Sequence, residues 1–129
     1  MIAPMPQKLL IVLVNTDPRN REELGSPFFQ AAVAAAMDFE VEVVCTGTAG
    51  RLMQRGVAEA LEVKSGSNKS VYDFIKDARE FGVKFYACAG NLELFGLSEA
   101  ELIPECAGMV GTAYLIDRVM SVEYRVLTY

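Results

Sequence analysis

The sequence predicts an α/β fold, a three-layer α/β/α sandwich with a mostly parallel sheet of about five strands. Two observations lead to this prediction. Continuous apolar runs, typical of strands covered on both faces, end in turns that contain glycine or small polar residues. Amphipathic or alanine-rich helical segments alternate with these runs. The length of 129 residues fits one domain, so residues 1–129 are expected to form a single domain.

The first predicted unit is a strand followed by a helix. Residues 9–14 form an apolar run that ends at the sequence NTDP. After a polar loop, Ser26 and Pro27 are typical of a helix N-cap and a first helical position. The alanine-rich residues 28–39 then predict the helix. One face of it is expected to hold Phe28, Ala32, Ala35 and Ala36.

A second strand is predicted at residues 41–45, and the glycine-containing turn at residues 46–50 ends it. Residues 51–56 favour a short helical segment. Residues 57–63 fit a helix, a strand or one after the other.

Ser70 and Gly82 mark the two ends of the clearest predicted helix. Apolar residues recur through it at the spacing of one helical face. They are Val71, Phe74, Ile75 and Ala78. Residues 83–88 then predict a third buried strand, which ends at Cys88.

The rest of the chain is predicted to form a helix from Asn91, a helical turn, a longer helix and a last strand. Ser98 and Glu101 have the spacing of a capping box at the helical turn. Residues 108–120 favour a helix rich in small residues, and residues 122–129 favour a strand.

Because parallel strands end at one edge of their sheet, that edge is where open α/β proteins hold their ligands. The turns expected there are Asn15-Thr16-Asp17, Cys45-Thr46-Gly47 and Cys88-Ala89-Gly90. Neither a P-loop nor a Rossmann glycine fingerprint is present, and Arg19 and Arg21 favour a solvated loop over an anion site. We expect the rim of a pocket at this edge to be formed by Asn15, Thr16, Cys45, Thr46 and Gly47.

Composition excludes several classes of chemistry. The absence of histidine excludes a Ser-His-Asp triad, a Cys-His pair and an HExxH zinc helix. The three cysteines lack CxxC spacing, which argues against a disulfide framework or a cysteine-only zinc site. We therefore expect neither a metal nor a cofactor.

Charge and hydropathy predict a soluble, cytoplasmic protein with reduced thiols. A net charge of −5 gives no general nucleic-acid footprint. There is no signal-like segment, and no apolar run approaches about 18 residues, so no membrane span is expected. Residues 85–129 hold two basic and six acidic side chains, which suits solubility or a basic partner.

Cys88 is the first candidate for chemistry. It ends a strand just before a predicted helix, where free backbone N–H groups and the helix dipole stabilise a thiolate without histidine. Gly90 lets the sulfur of a second molecule approach the backbone closely. The competing interpretation is that Cys88 is a small apolar residue that completes a core strand.

The other cysteines are weaker candidates. Cys45 is expected to pack inward at the end of its strand. Cys106 follows a proline in an irregular segment, where it either fills space beneath the loop or serves as a second thiol that resolves a disulfide with Cys88. The candidate auxiliary residues of a site at Cys88 are Gly90, Asn91 and Cys106.

The arrangement resembles the DsrE/DsrF-like family of sulfur-relay proteins. The matching features are the first strand LLIVLV, the alanine-rich first helix, the strand and turn VEVVCTGTAG, and the segment GMVGTAYLIDRVM with its terminal strand. The most distinctive feature is FYACAGNLELFGL, in which a strand ends in Cys88 and a small-residue turn follows.

The resemblance implies a cytoplasmic sulfur carrier, or possible sulfurtransferase, in which Cys88 holds a persulfide between a donor and an acceptor protein. It also implies a TusA-like carrier or a rhodanese-like donor as partner, and a homo-oligomer, either a trimer or a hexamer. Persulfide transfer requires an accessible thiol but no metal and no histidine, which agrees with the residue inventory. The apolar content of 52% and the small residues at 108–116 fit a buried interface.

Two other functions stay open at this point. The first is a non-catalytic oligomeric module that binds a small anion or nucleotide at the rim. The second is a thiol redox protein that uses Cys88 together with Cys106.

Overall fold

The computed structural model describes residues 7–129, which form five strands and four α-helices. The strands are β1 (Lys8–Leu13), β2 (Glu40–Cys45), β3 (Lys84–Cys88), β4 (Cys106–Val110) and β5 (Tyr124–Thr128). The helices are α1 (Gly25–Ala36), α2 (Val71–Glu80), α3 (Gly90–Phe95) and α4 (Thr112–Met120).

The strands form one sheet in the order β4-β3-β2-β1-β5, and every pairing among them is parallel. The chain moves outward from β1 to β4 and then returns across the sheet to β5. Because such crossovers are right-handed, the returning helix α4 covers the face opposite α1 and α2. The predicted three-layer α/β/α sandwich is confirmed.

Two apolar clusters hold the layers together. The larger lies between the sheet and the helices α1 and α2, where the rings of Phe28 and Phe85 have centroids 6.0 Å apart. The smaller lies beneath α4, where Leu115 packs against the cluster of Leu10, Val12 and Val44. Because few apolar side chains cover this second face of the sheet, polar contacts also hold α4 in place.

Glu42 provides those polar contacts. Its carboxylate, on β2, accepts hydrogen bonds from Tyr114 Oη at 2.6 Å, Arg118 Nε at 2.8 Å and Tyr124 Oη at 3.2 Å. The Arg118 guanidinium also lies 3.4 Å from the centre of the Tyr114 ring. Burial, reinforced by the bond to Glu42, raises the pKa of Tyr114. One carboxylate on β2 therefore links α4 and the start of β5 to the middle of the sheet.

The predicted α2 is confirmed at both ends. Ser70 Oγ accepts a hydrogen bond from Asp73 N at 3.1 Å, and the Asp73 carboxylate accepts one from Ser70 N at 2.9 Å. Gly82 follows the helix with a φ of +103°, a conformation that glycine adopts without strain. Tyr72 donates a 2.8 Å hydrogen bond to Glu105, which raises the pKa of Tyr72 to about 12.

The first helix begins earlier than predicted. A 3-10 turn over Arg21–Glu23 continues through the fully buried Leu24 into α1, so Ser26 lies inside the first turn and is not the N-cap. Burial of Leu24 fixes this start. Of the residues expected on the inner face, Ala36 is exposed, whereas Ala31 is fully buried.

The predicted helix at 108–120 is wrong in its first part. Residues 106–110 form the edge strand β4, and the helix begins only at Thr112. Gly108 has a φ of +150°, which no α-helix contains. Pairing with β3 therefore overrides the small-residue composition of this segment.

The helical segment expected at 51–56 begins earlier, whereas residues 57–63 contain a helical turn followed by a strand bridge, which is one of the alternatives expected there. A 3-10 helix spans Gly47–Met53, a single short turn spans Ala58–Ala60, and Glu62 forms an isolated bridge with Ser70.

Candidate functional site

The carboxyl ends of β1, β2 and β3 bring the predicted turns to one edge of the sheet. Leu13 pairs with Cys45, and Cys45 pairs with Ala87. The residues that follow these positions therefore lie side by side, as the sequence predicts.

Cys88 lies at this edge on the α4 face. Its neighbour Ala87 is fully buried in the larger cluster, and successive residues of a strand point to opposite faces. Val110, which pairs with Cys88, packs in the smaller cluster beneath α4. The thiol is half-buried, at the boundary between the α4 layer and the strand-end edge.

The backbone after Cys88 is held by the adjacent strand. Ala89 N donates a 2.8 Å hydrogen bond to Val110 O, and α3 then begins at Gly90. A Cβ atom added to Gly90 would lie 4.0 Å from Cys88 Sγ, which is ordinary van der Waals contact. Residue 90 therefore places no side chain beside the sulfur.

Asn91 is buried and faces the interior. Only 1% of it is exposed, and its Nδ2 donates a hydrogen bond of 3.4 Å to Cys45 O, at the end of β2. Its carboxamide lies against the backbone of Gly50 and occupies the space that a Cβ at that position would need. The residue is thus part of the framework behind Cys88 and not part of an exposed pocket.

Cys45 and Cys106 both lie on the opposite face from Cys88. Cys45 is fully buried in the larger cluster, and burial raises the pKa of its thiol. Cys106 packs against the same cluster, with Sγ 3.4 Å from Gly108 O, and burial raises the pKa of this thiol also. Because the sheet separates Cys106 from Cys88, the two cannot form a disulfide without movement of the backbone.

The rim at β1 and β2 is occupied by internal hydrogen bonds. Val14 N and Asn15 N donate to Tyr129 O at 2.7 and 2.9 Å. Thr46 donates to Leu13 O from its backbone N at 2.9 Å and from its hydroxyl at 3.1 Å. A phosphate would bind through backbone N–H groups such as these. Because they already donate to carbonyl groups, this part of the rim offers them to no anion.

The two remaining rim residues, Thr16 and Gly47, are placed by burial and by turn geometry. Thr16 is 5% exposed. Gly47 has a φ of +54°, and an added Cβ would lie 3.7 Å from Val14 O, so glycine suits this turn.

The charged loop after β1 is partly neutralised within itself. The Arg19 guanidinium forms hydrogen bonds with both Asp17 carboxylate oxygens, the shortest 2.7 Å. These bonds lower the pKa of Asp17 to about 2. A polar cleft of about 610 Å³ lies beside this loop, lined in part by Arg21 and Lys64, away from the thiol.

Sequence reasoning missed two arrangements. The contact between Gly50 and Asn91 joins residues with no shared pattern. The Glu42 cluster left a faint signal, because a carboxylate alternates with valines in β2 and Tyr114 and Arg118 have the spacing of one helical face.

No cluster of three or more His, Cys, Asp or Glu side chains among residues 7–129 could hold a metal ion. None of the helices in that range has the length and apolar character needed to cross a membrane.

Comparisons with solved structures identify the same fold. The ychN protein from E. coli matches with a TM-score of 0.74 at 16% identity, over 97% of this chain and 100% of that chain. The protein of unknown function MTH1491 from Methanobacterium thermoautotrophicum matches with a TM-score of 0.63 at 16% identity, over 95% and 98%. No curated protein matches the sequence.

The sequence also matches a family model. The match extends over residues 8–129, nearly the whole chain, and includes all five strands and the turn after Cys88. The chain therefore belongs to the DsrE/DsrF-like family.

Proposed function

We propose that this protein is a sulfur carrier or sulfurtransferase that holds sulfane sulfur as a persulfide on Cys88. The observation that carries the proposal is the position of this thiol. Cys88 is half-buried at the carboxyl edge of the sheet, beside Gly90, which places no side chain against the sulfur. Cys45 and Cys106 pack on the other face, where burial raises the pKa of both thiols. Membership of the family supports the same assignment.

The reaction is an exchange at sulfur that needs no external oxidant. The Cys88 thiolate attacks the outer sulfur of a donor persulfide, a bond forms between the two sulfur atoms, and the S–S bond of the donor breaks. The donor leaves as a thiolate, and Cys88 becomes a persulfide. An acceptor thiolate then attacks the outer sulfur, and Cys88 departs as the thiolate. In each step, one protein passes from persulfide to thiolate while the other passes from thiolate to persulfide, so the two proteins exchange oxidation states.

The partners in this proposal are cytoplasmic proteins with their own reactive thiols. A rhodanese-like protein fits the donor role, and a TusA-like carrier fits either the donor or the acceptor role. The half-buried position of Cys88 favours protein partners that present an extended sulfur, because a persulfide reaches one atom further than a thiol.

A homo-oligomer, either a trimer or a hexamer, is part of the proposal. An apolar groove of about 680 Å³ runs between α1 and the edge strand β5. Its exposed apolar side chains include Phe29, Val33, Met37 and Leu127. Apolar surface of this kind is typical of contacts between protein subunits.

Two-step sulfur transfer tests the function. Purified protein is incubated with polysulfide, freed of reagent, and then mixed with a thiol acceptor protein. We expect the mass of the chain to rise by one sulfur atom and to return when the acceptor gains that atom. Cys88→Ser should do neither, whereas Cys106→Ser, the matched control, should do both. Loading of Cys88→Ser equal to that of the wild type would exclude the assignment.

The structure gives no specific support to the two alternative functions. The backbone donors at the ends of β1 and β2 already bind carbonyl groups, which disfavours an anion or nucleotide site there. A redox pair of Cys88 and Cys106 would have to bridge two faces of the sheet.

A further inference from the structure

We infer that Gly50 and Asn91 form a positioning pair that sets the exposure of the Cys88 thiol. The inference rests on the proposed function only in taking Cys88 as the reactive group. Its basis is the carboxamide of Asn91, which lies directly on the Gly50 backbone and binds the carbonyl at the end of β2.

A buried amide at this position has a defined orientation. Burial of an amide is costly unless it forms hydrogen bonds, and the bond from Asn91 Nδ2 to Cys45 O, at 3.4 Å, supplies one. Only a residue without a side chain fits opposite it, because a Cβ at position 50 would overlap the amide. Shape and hydrogen bonding together therefore fix where Asn91 lies.

The position of Asn91 determines the backbone next to the thiol. The segment from Cys88 to Asn91 is held at one end by the bond from Ala89 N to Val110 O, 2.8 Å long, and at the other by the Asn91 side chain. Gly90 lies between these two anchors, and a Cβ atom added to it would lie 4.0 Å from Cys88 Sγ. Displacement of Asn91 releases the second anchor, so Gly90 and the start of α3 move away from the sulfur.

The variants Gly50→Ala and Asn91→Ser test the inference from its two sides. Each is mixed with iodoacetamide well below its melting temperature, and the rate of Cys88 alkylation is measured by peptide mass. We expect the rate to rise about tenfold, which corresponds to about 1.4 kcal/mol of easier opening. In the double variant, serine leaves room for the alanine methyl, so the rate should be no higher than in Asn91→Ser alone.

Ile75→Val is the matched control for loss of stability. Ile75 is fully buried on the inner face of α2 and lies outside the strand-end edge, so this variant lowers stability without changing the segment from Cys88 to Asn91. Its alkylation rate should equal that of the wild type. Rates in Gly50→Ala and Asn91→Ser that match Ile75→Val would overturn the inference. Because alkylation needs no sulfur donor, this result is separate from any failure of persulfide loading.

Discussion

Replacement of Glu42 by alanine should destabilise the protein far more than an ordinary surface substitution. The change removes the acceptor of three hydrogen bonds, from Tyr114, Arg118 and Tyr124. Hydrogen bonds to charged groups contribute about 1.5–3 kcal/mol each, and loss of one partner of a buried ion pair costs about 3–5 kcal/mol. Helix α4 and Tyr124, at the start of β5, would lose the β2 carboxylate that links them.

The exposure of the pair moderates this magnitude. The side chains of Glu42 and Arg118 are 13% and 24% exposed, so water replaces part of the lost interaction. We therefore expect the free energy of unfolding to fall by about 3 kcal/mol in Glu42→Ala. Glu42→Gln keeps one acceptor oxygen and the shape of the side chain, and should lose about 1–2 kcal/mol.

Urea unfolding provides the assay, with an unchanged slope as the sign that the two-state transition persists. Glu40→Ala is the control, because Glu40 lies on the same strand with a side chain 76% exposed, and its ion pair with Lys8 spans 3.8 Å. That variant should lose no more than about 0.5 kcal/mol. A loss in Glu42→Ala as small as that in Glu40→Ala would refute the role given to the carboxylate.

Three other outcomes are expected. The raised pKa of Tyr72, about 12, stabilises the native state fully below the ordinary tyrosine pKa of about 10. The urea midpoint should therefore fall as the pH rises above that value, and Tyr72→Phe should weaken the fall. A urea midpoint that falls as steeply with pH in Tyr72→Phe as in the wild type would contradict this. Gly90→Ala should slow the reaction of Cys88 with a bulky disulfide reagent more than its reaction with iodoacetamide. The free energy of unfolding should change by no more than about 1 kcal/mol. Equal effects on the two reactions would count against open space beside the sulfur at this glycine. Phe29→Glu, in the α1 groove, should reduce the oligomer mass measured by light scattering. Phe81→Glu, at a similarly exposed residue outside the groove, should not reduce it. The same oligomer mass for both variants would exclude the groove as the subunit interface.

Local signals in the sequence sufficed for much of the fold. Residues 9–14 and 83–88 predict buried strands because both faces of the sheet are covered along most of their length, so most positions are apolar. Lys84, at the start of β3, is the charged and exposed exception. The α2 helix could be placed because Ser70 and Gly82 act on the backbone within a few residues of themselves.

The errors arise where distant contacts override local preference. Residues 106–110 carry no strand pattern of their own and become a strand because β3 offers them an unpaired edge. Ser26 has the chemistry of an N-cap, but with Leu24 buried as the N-cap, α1 begins two residues earlier.

The candidate site was predictable in location but not in detail. Cys88 had to reach the carboxyl edge because it ends a strand of a parallel sheet. Its separation from Cys106 depends on the pairing of β4, including an irregular register near Phe85, which no local pattern encodes. The contact of Gly50 with Asn91 likewise exists only once β2, β3 and α3 are assembled.

The central claim is that one thiol, Cys88, accepts sulfur. A chain with Cys45→Ala and Cys106→Ala retains it as the sole cysteine and tests the claim most directly. After incubation with polysulfide, intact mass should show the gain of one sulfur atom, reversed by a reducing agent. A folded single-cysteine chain that stays unmodified, while the wild type gains sulfur at Cys45 or Cys106, would contradict the claim.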